Sequence, residues 1–135
     1  MPHVTLQYTG NLEAEADIGG LCKSLAGVLR AQKDEEGKQL FPIGGTRVLA
    51  YPAVHYAVAD DADDYAFLYV NVRIASGRSD ALKKKTGDAL LDCVKTHMAA
   101  IFDKRHIGIT LQIDDSPGQV YDGKHSNLHP LFKKA

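Results

Sequence analysis

Residues 65–75 read Tyr-Ala-Phe-Leu-Tyr-Val-Asn-Val-Arg-Ile-Ala and carry the strongest strand signal in the chain. β-Branched and aromatic residues dominate the stretch, and such residues fit the pleated surface of a sheet. Ser-Gly-Arg-Ser follows at residues 76–79, and the apolar residues after it recur at helical spacing as far as Phe102. Ser79 is a suitable N-cap for this helix. With an alternating strand at residues 107–113, the second half of the chain predicts one β-α-β unit.

The first half of the chain repeats this order. Residues 3–8 alternate with period two as a strand does, and Asp17 can cap a helix whose apolar stripe runs from Ile18 to Leu29. Residues 46–58 predict a second strand, interrupted at Pro52 and therefore at an edge or a bulge. Together the two β-α-β units predict an α+β fold in which two helices back one face of a four-stranded sheet.

Composition narrows the class of protein. The 135 residues have room for one domain, residues 1–135, and 44% hydrophobic with 24% charged residues is ordinary for a globular chain. A net charge of −1 without a basic run argues against nucleic-acid binding, and no apolar run is long enough to cross a membrane. Cys22 and Cys93 fall within helical patterns as reduced core residues, which predicts a cytoplasmic protein.

The strand at residues 65–75 also predicts association between copies of the chain. Ala66, Leu68 and Val70 alternate on one face, and Phe67 and Tyr69, with Val72 nearby, are assigned to the other. Two helices cover only one face of the sheet, so a second apolar face would need a partner. Residues 114–118 predict a turn, and residues 119–135 a polar tail with little structure of its own.

Pro2 is the first of two features that suggest chemistry. Removal of the initiator methionine would leave a secondary amine at the head of a buried strand. Desolvation and nearby cations both favour the neutral form of an amine, so this nitrogen could serve as a general base at neutral pH. The alternative is that the proline after Met1 has no catalytic role. If methionine is retained, Pro2 has no basic nitrogen and the protein should be inactive.

Arginine placement is the second feature. Arg78 lies where a strong strand passes into a helix, beside free N–H groups and after Gly77, which permits a close turn. Such an arginine suits a carboxylate ligand, although it could instead pair with Asp80. Arg47 follows a glycine pair and is a second candidate, whereas Arg73 is expected to be solvated or at an interface.

The histidines do not form a recognisable metal motif. His125 and His129 are four residues apart, but the tail has no helical stripe, so a solvated or interface pair is favoured over a metal site. His55 and His97 are expected to be partly buried. No phosphate-binding loop, nucleophile elbow or zinc-protease motif is present in the sequence.

Taken in order, these stretches resemble the tautomerase superfamily, and within it the 5-carboxymethyl-2-hydroxymuconate isomerase family. The resemblance rests on short segments spread along nearly the whole chain. They are Met1-Pro2-His3, Glu15-Ala16-Asp17, Phe41-Pro42-Ile43-Gly44-Gly45-Thr46-Arg47, Asp64-Tyr65-Ala66-Phe67, Ser76-Gly77-Arg78-Ser79, Lys95-Thr96-His97 and Asn127-Leu128-His129-Pro130-Leu131-Phe132-Lys133.

The resemblance implies a homotrimer in which three sheets line a central barrel and the tail packs on a neighbouring subunit. It implies that Pro2 is the base that moves a proton in an unsaturated hydroxy-dicarboxylate, with Arg78 and Arg47 holding carboxylate and carbonyl oxygens. Neither a cofactor nor a metal is implied, and the pathway would be aromatic degradation through homoprotocatechuate. The charged loop at residues 31–40 and the segment at residues 48–52 depart from the family pattern, which leaves the substrate open.

Two other functions are compatible with the same residues. One is an oligomeric module without catalytic activity that binds a carboxylate ligand at Arg78 and makes no use of Pro2. The other keeps Pro2 but decarboxylates or hydrates a small unsaturated acid. A change at Pro2 separates the first from an isomerase, and the carbon count of the product separates isomerisation from decarboxylation.

Overall fold

A computed structural model describes residues 2–132 of the chain. Its strands are β1 (His3–Thr9), β2 (Arg47–Ala53), β3 (Ala66–Ala75) and β4 (Ile107–Ser116). Its helices are α1 (Ile18–Ala31), α2 (Asp80–His97), α3 (Ala99–Phe102) and α4 (His129–Phe132), and two short 3-10 turns lie at Gly10–Leu12 and Ile43–Gly45.

The four strands form one sheet in the order β2-β1-β3-β4. β1 runs parallel to β2, β3 runs parallel to β4, and the two central strands β1 and β3 are antiparallel. Each parallel pair is joined by a helix, because two parallel strands need a long crossover connection between them. The predicted duplicated α+β architecture is therefore confirmed, with β2 at an edge, where Pro52 is tolerated.

The core lies between the sheet and the two long helices. Asp17 caps α1 by accepting a hydrogen bond from the Gly20 amide at 3.2 Å, and Ser79 caps α2 by accepting one from Leu82 at 3.2 Å. Both caps match the sequence prediction. The buried side chains alternate along β1 and β3 and recur on one stripe of each helix: Val4, Leu6, Tyr8, Ala66, Leu68, Val70, Val72, Ile74, Leu21, Leu25, Leu29, Leu90 and Val94.

The opposite face of the sheet carries no helix in the part of the chain that the structure describes, and we call it the open face. The prediction for this face is confirmed for Phe67 and Tyr69 and wrong for Val72. Val72 lies on the buried face with Val70, because side chains two residues apart along a strand share a face. The open face is mixed, with apolar Leu49, Tyr51, Phe67 and Tyr69 among polar residues: Thr5, Gln7, Asn71, Arg73, Thr110, Gln112 and Asp114.

Several boundaries differ from those predicted. Residues 54–58 are not a strand, because no partner strand extends beyond Ala53. The predicted turn at residues 114–118 begins later, since Asp114, Asp115 and Ser116 continue the β4 ladder against β3. The helix predicted to run as far as Phe102 is interrupted at Met98, where α2 ends and α3 begins. Phe102 therefore does not continue the buried stripe of α2 and is 62% exposed.

The end of the described chain returns to the sheet. Helix α4 packs on the 3-10 turn at Ile43–Gly45, and a Cβ on Gly44 would lie only 3.0 Å from Nδ1 of His129. Glycine at position 44 therefore permits the close approach of the tail. Packing of residues 119–135 on a neighbouring subunit stays a prediction. The last three of these residues, 133–135, lie outside the described residues. No described helix is both long and apolar enough to cross a membrane.

Candidate active site

Pro2 is buried immediately before β1, which is a central strand of the sheet. Neighbours on both sides therefore surround this position. Continuing the two registers by one residue places Pro2 between Thr46, which precedes β2, and Ile74 near the end of β3. A basic group at this point would be sheltered from water by the sheet and the core beneath it, and desolvation favours the neutral form of an amine.

Arg47 begins β2 and lies directly opposite His3 in the parallel pair. Because parallel strands start at the same edge of a sheet, Arg47 reaches the edge at which Pro2 lies. Its side chain is exposed and forms no ion pair with any residue from 2 to 132. The cation is therefore available to an anionic ligand.

Arg78 approaches the same edge from the end of β3. Its Nη1 donates to the Ala75 carbonyl at 3.0 Å and its Nη2 to the Leu40 carbonyl at 3.4 Å, while the guanidinium stacks 4.8 Å from the centre of the Phe41 ring. Gly77, with φ of 108°, makes the turn that allows this. Pairing with Asp80 is not observed, since Asp80 contacts Lys83 at 3.2 Å.

The three residues singled out from sequence therefore meet at one edge of the sheet. Pro2 lies between the strand that Arg47 begins and the strand that leads to Arg78. The two guanidiniums approach from different sides: Arg47 belongs to the open face, whereas Arg78 rests on Phe41, which is fully buried in the core. Such an arrangement can hold an extended anion by two of its groups across the proline position.

His3 and Arg73 are two further residues at this edge, and neither was predicted to be part of the site. His3 lies opposite Arg47 on one side and Arg73 on the other, all on the open face. Partial burial of the imidazole, followed by the Arg47 cation, lowers the pKa of His3. The sequence shows only that His3 and Arg73 each occupy an alternating position on a predicted strand. The register between β1 and β3 is what places them opposite each other.

A cavity of about 380 Å³ opens beside these residues. His3, Arg73 and Ala75 line one side, and Ser116 with the start of the tail lines the other. A larger hollow of about 780 Å³ lies at the opposite end of β1, among Tyr56, Phe67 and other apolar groups. It is the less suitable site for binding an acid, because none of the described residues that line it is an arginine or a lysine.

Three other histidines, His97, His55 and His129, lie outside this group of residues. His97 is half-buried, with Nε2 at 2.8 Å from the Ala16 carbonyl, as expected, but His55 is exposed, contrary to prediction, because its segment lies beyond the sheet. His129 packs on Gly44. Within residues 2–132 no group of three or more histidine, cysteine or acidic side chains is arranged to hold a metal ion.

Comparison with known proteins adds independent information. A family model described as 5-carboxymethyl-2-hydroxymuconate isomerase matches residues 2–132. The 5-carboxymethyl-2-hydroxymuconate Delta-isomerase of Escherichia coli is 29% identical over 133 residues, which are 98% of this chain and 100% of that protein. A crystal structure of a 5-carboxymethyl-2-hydroxymuconate delta-isomerase superposes with a TM-score of 0.94 at 42% identity, over 100% of this chain and 95% of that one.

Two further structures bear on the fold. A 5-carboxymethyl-2-hydroxymuconate isomerase from Deinococcus radiodurans R1 is 37% identical with a TM-score of 0.85, over 98% of this chain and 95% of that one. A fused 4-OT described as a symmetric trimer has a TM-score of 0.60 at 18% identity, over 95% and 98% of the two chains, and at that identity it shares the fold alone.

Proposed function

The chain belongs to the 5-carboxymethyl-2-hydroxymuconate isomerase family, and from that premise we propose that it isomerises 5-carboxymethyl-2-hydroxymuconate, or a closely similar acid, without a cofactor. The observation that carries this proposal is the meeting of Pro2, Arg47 and Arg78 at one edge of the sheet. A base between two cations is the arrangement needed to move a proton within an unsaturated carboxylate.

Pro2 is the general base of this proposal. Once methionine is removed, its ring nitrogen is a secondary amine with a lone pair, at a buried position. Its neutral form is favoured by desolvation and by the nearby guanidiniums, which oppose a further positive charge. The amine removes a proton from one atom of the conjugated substrate, and the resulting ammonium returns a proton at another.

The arginines stabilise the charge that this transfer creates. When the base removes a proton, the electron pair spreads through the conjugated system onto its oxygen atoms, so negative charge grows near Pro2. Arg78 is already fixed by two carbonyls and Phe41, so it loses little freedom when an oxygen arrives. Arg47 supplies a second cation from β2. One proton leaves and one returns, so substrate and product have the same composition.

The assembly and setting of the enzyme are part of the same proposal. A homotrimer would enclose the open faces of three sheets, and the trimeric 4-OT with the same fold supports this arrangement. The small acid substrate is then the only other partner required, with neither nucleic acid nor a membrane involved. A cytoplasmic location and a role in aromatic degradation through homoprotocatechuate agree with the family and stay predictions.

The test begins with the intact mass of untagged protein, followed on the same sample by an assay of 5-carboxymethyl-2-hydroxymuconate conversion. Loss of the methionine mass together with turnover to a product of unchanged mass supports the isomerase. A product that has lost carbon dioxide or gained water supports a decarboxylase or hydratase instead. Processed protein that binds the acid without converting it is a binding module and contradicts the proposal.

A change at Pro2 tests its role directly. In Pro2→Ala the methionine is also removable, but the secondary amine is replaced by a primary one. We expect turnover to fall by about 10²-fold or more, the usual scale for loss of a general base, with the sheet intact. Activity should be followed together with intact mass and circular dichroism. Unchanged turnover in correctly processed, folded Pro2→Ala would assign the base to another residue.

A further inference from the structure

Three basic side chains form a row across the open face. Arg47, His3 and Arg73 lie directly opposite one another on β2, β1 and β3. Neighbouring strands are about 4.8 Å apart, so the two arginine backbones are about 10 Å apart, and their long side chains can reach a shared anion between them. Between residues 2 and 132 neither arginine forms an ion pair.

The acidic groups nearby have other partners. Asp114 follows Arg73 in the same row on β4, and its Oδ2 accepts a hydrogen bond from the Asn71 amide at 2.8 Å. Across the 380 Å³ cavity, Asp122 pairs with Lys124 at 2.5 Å. The row beside the cavity thus keeps a net positive charge, and a neutral imidazole at His3 can still donate one N–H to an anion.

The number of carboxylates on the proposed substrate exceeds the number that the site so far accommodates. Muconate is a diacid, and its carboxymethyl arm adds a third carboxylate. Arg47 and Arg78 account for two anionic groups near Pro2. The arm lies off the conjugated chain along which the proton moves, so its carboxylate needs a cation to one side of the proline, where Arg73 lines the cavity.

We propose that Arg73, with His3 beside it, binds the carboxylate of the carboxymethyl arm and so selects the tricarboxylate over a muconate that lacks the arm. This inference rests on the proposed function, since it assumes an acid that reacts at Pro2. The proposed function predicts that the reaction occurs, whereas this inference predicts which of two acids is preferred.

The experiment compares two substrates, 5-carboxymethyl-2-hydroxymuconate and 2-hydroxymuconate, with processed wild type, Arg73→Gln, Arg73→Lys and Arg30→Gln. A hydrogen bond between charged groups is worth enough to change affinity by roughly 10- to 100-fold. We expect Arg73→Gln to lower kcat/KM for the substrate with the arm by about 10-fold more than for the substrate without it, mainly through KM. Arg73→Lys should restore part of the preference.

Arg30→Gln is the matched control, because Arg30 is an exposed arginine in the last turn of α1. It should leave the ratio of the two kcat/KM values unchanged. Equal losses on both substrates, or no loss, in folded Arg73→Gln would overturn the inference while leaving the isomerase standing. Wild type that converts neither acid would instead overturn the proposed function. As a readout without turnover, propane-1,2,3-tricarboxylate should bind wild type more tightly than Arg73→Gln.

Discussion

Arg78 is held in place by the fold before any ligand arrives. Two backbone carbonyls accept from its guanidinium, and the ring of Phe41 supports its face. The conformational entropy of this side chain is therefore lost during folding and not again during binding. We expect a cation held in this way to stabilise the charge of a transition state at little further cost, which is the physical basis of electrostatic preorganisation.

Replacement of Arg78 by lysine should distinguish the effect of the positive charge from that of the planar guanidinium shape. A lysine keeps the positive charge, but a single ammonium cannot bridge the carbonyls of Ala75 and Leu40 and stack on Phe41 as a planar guanidinium does. We expect kcat/KM for the isomerisation to fall by about 10²-fold. The free energy of unfolding, measured in urea, should change by less than about 1 kcal/mol, since the side chain is partly exposed. Full activity in Arg78→Lys would exclude a role for the guanidinium geometry.

The sequence predicted three of the residues at this edge and missed two others, for a physical reason. Pro2, Arg47 and Arg78 stand out because each follows or precedes an unusual local feature. His3 and Arg73 have no such local signal, since they are ordinary alternating positions on two strands. Their convergence depends on the register between β1 and β3, and a shift of that register by one residue would place Arg73 opposite a residue of the buried face.

At the scale of the element, the cap of helix α1 determines which of two adjacent glycines can be replaced. From sequence, Gly19 and Gly20 both weaken the first turn. In the structure nothing lies within 4 Å of a Cβ added to Gly19, whereas one on Gly20 would collide with the carboxylate of Asp17 that caps the helix. Gly20 is thus required by the cap, while Gly19 is replaceable.

This difference predicts unequal effects for two identical substitutions. Gly19→Ala should raise the free energy of unfolding by about 0.5–1 kcal/mol, because alanine restricts the unfolded chain and favours the helix. Gly20→Ala gains the same amount but loses the cap, so its free energy of unfolding should be about 1 kcal/mol lower than that of Gly19→Ala. Urea denaturation measures both. In an Asp17→Ala background the two substitutions should stabilise equally, and a difference that persists there would show that the cap is not the cause.

At the scale of the whole molecule, the order of elements was predictable because two β-α-β units, each with a capped helix, permit few topologies. What the open face touches was not predictable from one chain. Its composition is mixed, and the exposed apolar groups Leu49 and Tyr51 lie on the edge strand β2, 50% and 52% exposed. Edge strands with such residues are usually covered, which supports a neighbouring subunit.

Sedimentation equilibrium tests that assembly. The wild type should give three times the chain mass of 14.7 kDa. Leu49→Glu should shift the population towards monomer, because a carboxylate is costly to bury at an interface. Phe102→Glu is the matched control: that side chain is 62% exposed, but on the helix side of the sheet, so the variant should stay trimeric. A wild type that sediments as a monomer would contradict the predicted trimer.

The close approach of helix α4 to Gly44 has a practical consequence for handling the protein. Gly44 lies three residues before Arg47, where β2 begins opposite His3, so the last described helix and the first described residues share one edge. We therefore expect a tag fused directly before Pro2 or directly after Phe132 to crowd the edge at which Pro2 lies. The exposed acidic turn at residues 60–64 lies at the far end of the sheet, roughly 20 Å away along β1, and is the better place for an epitope or a fluorophore.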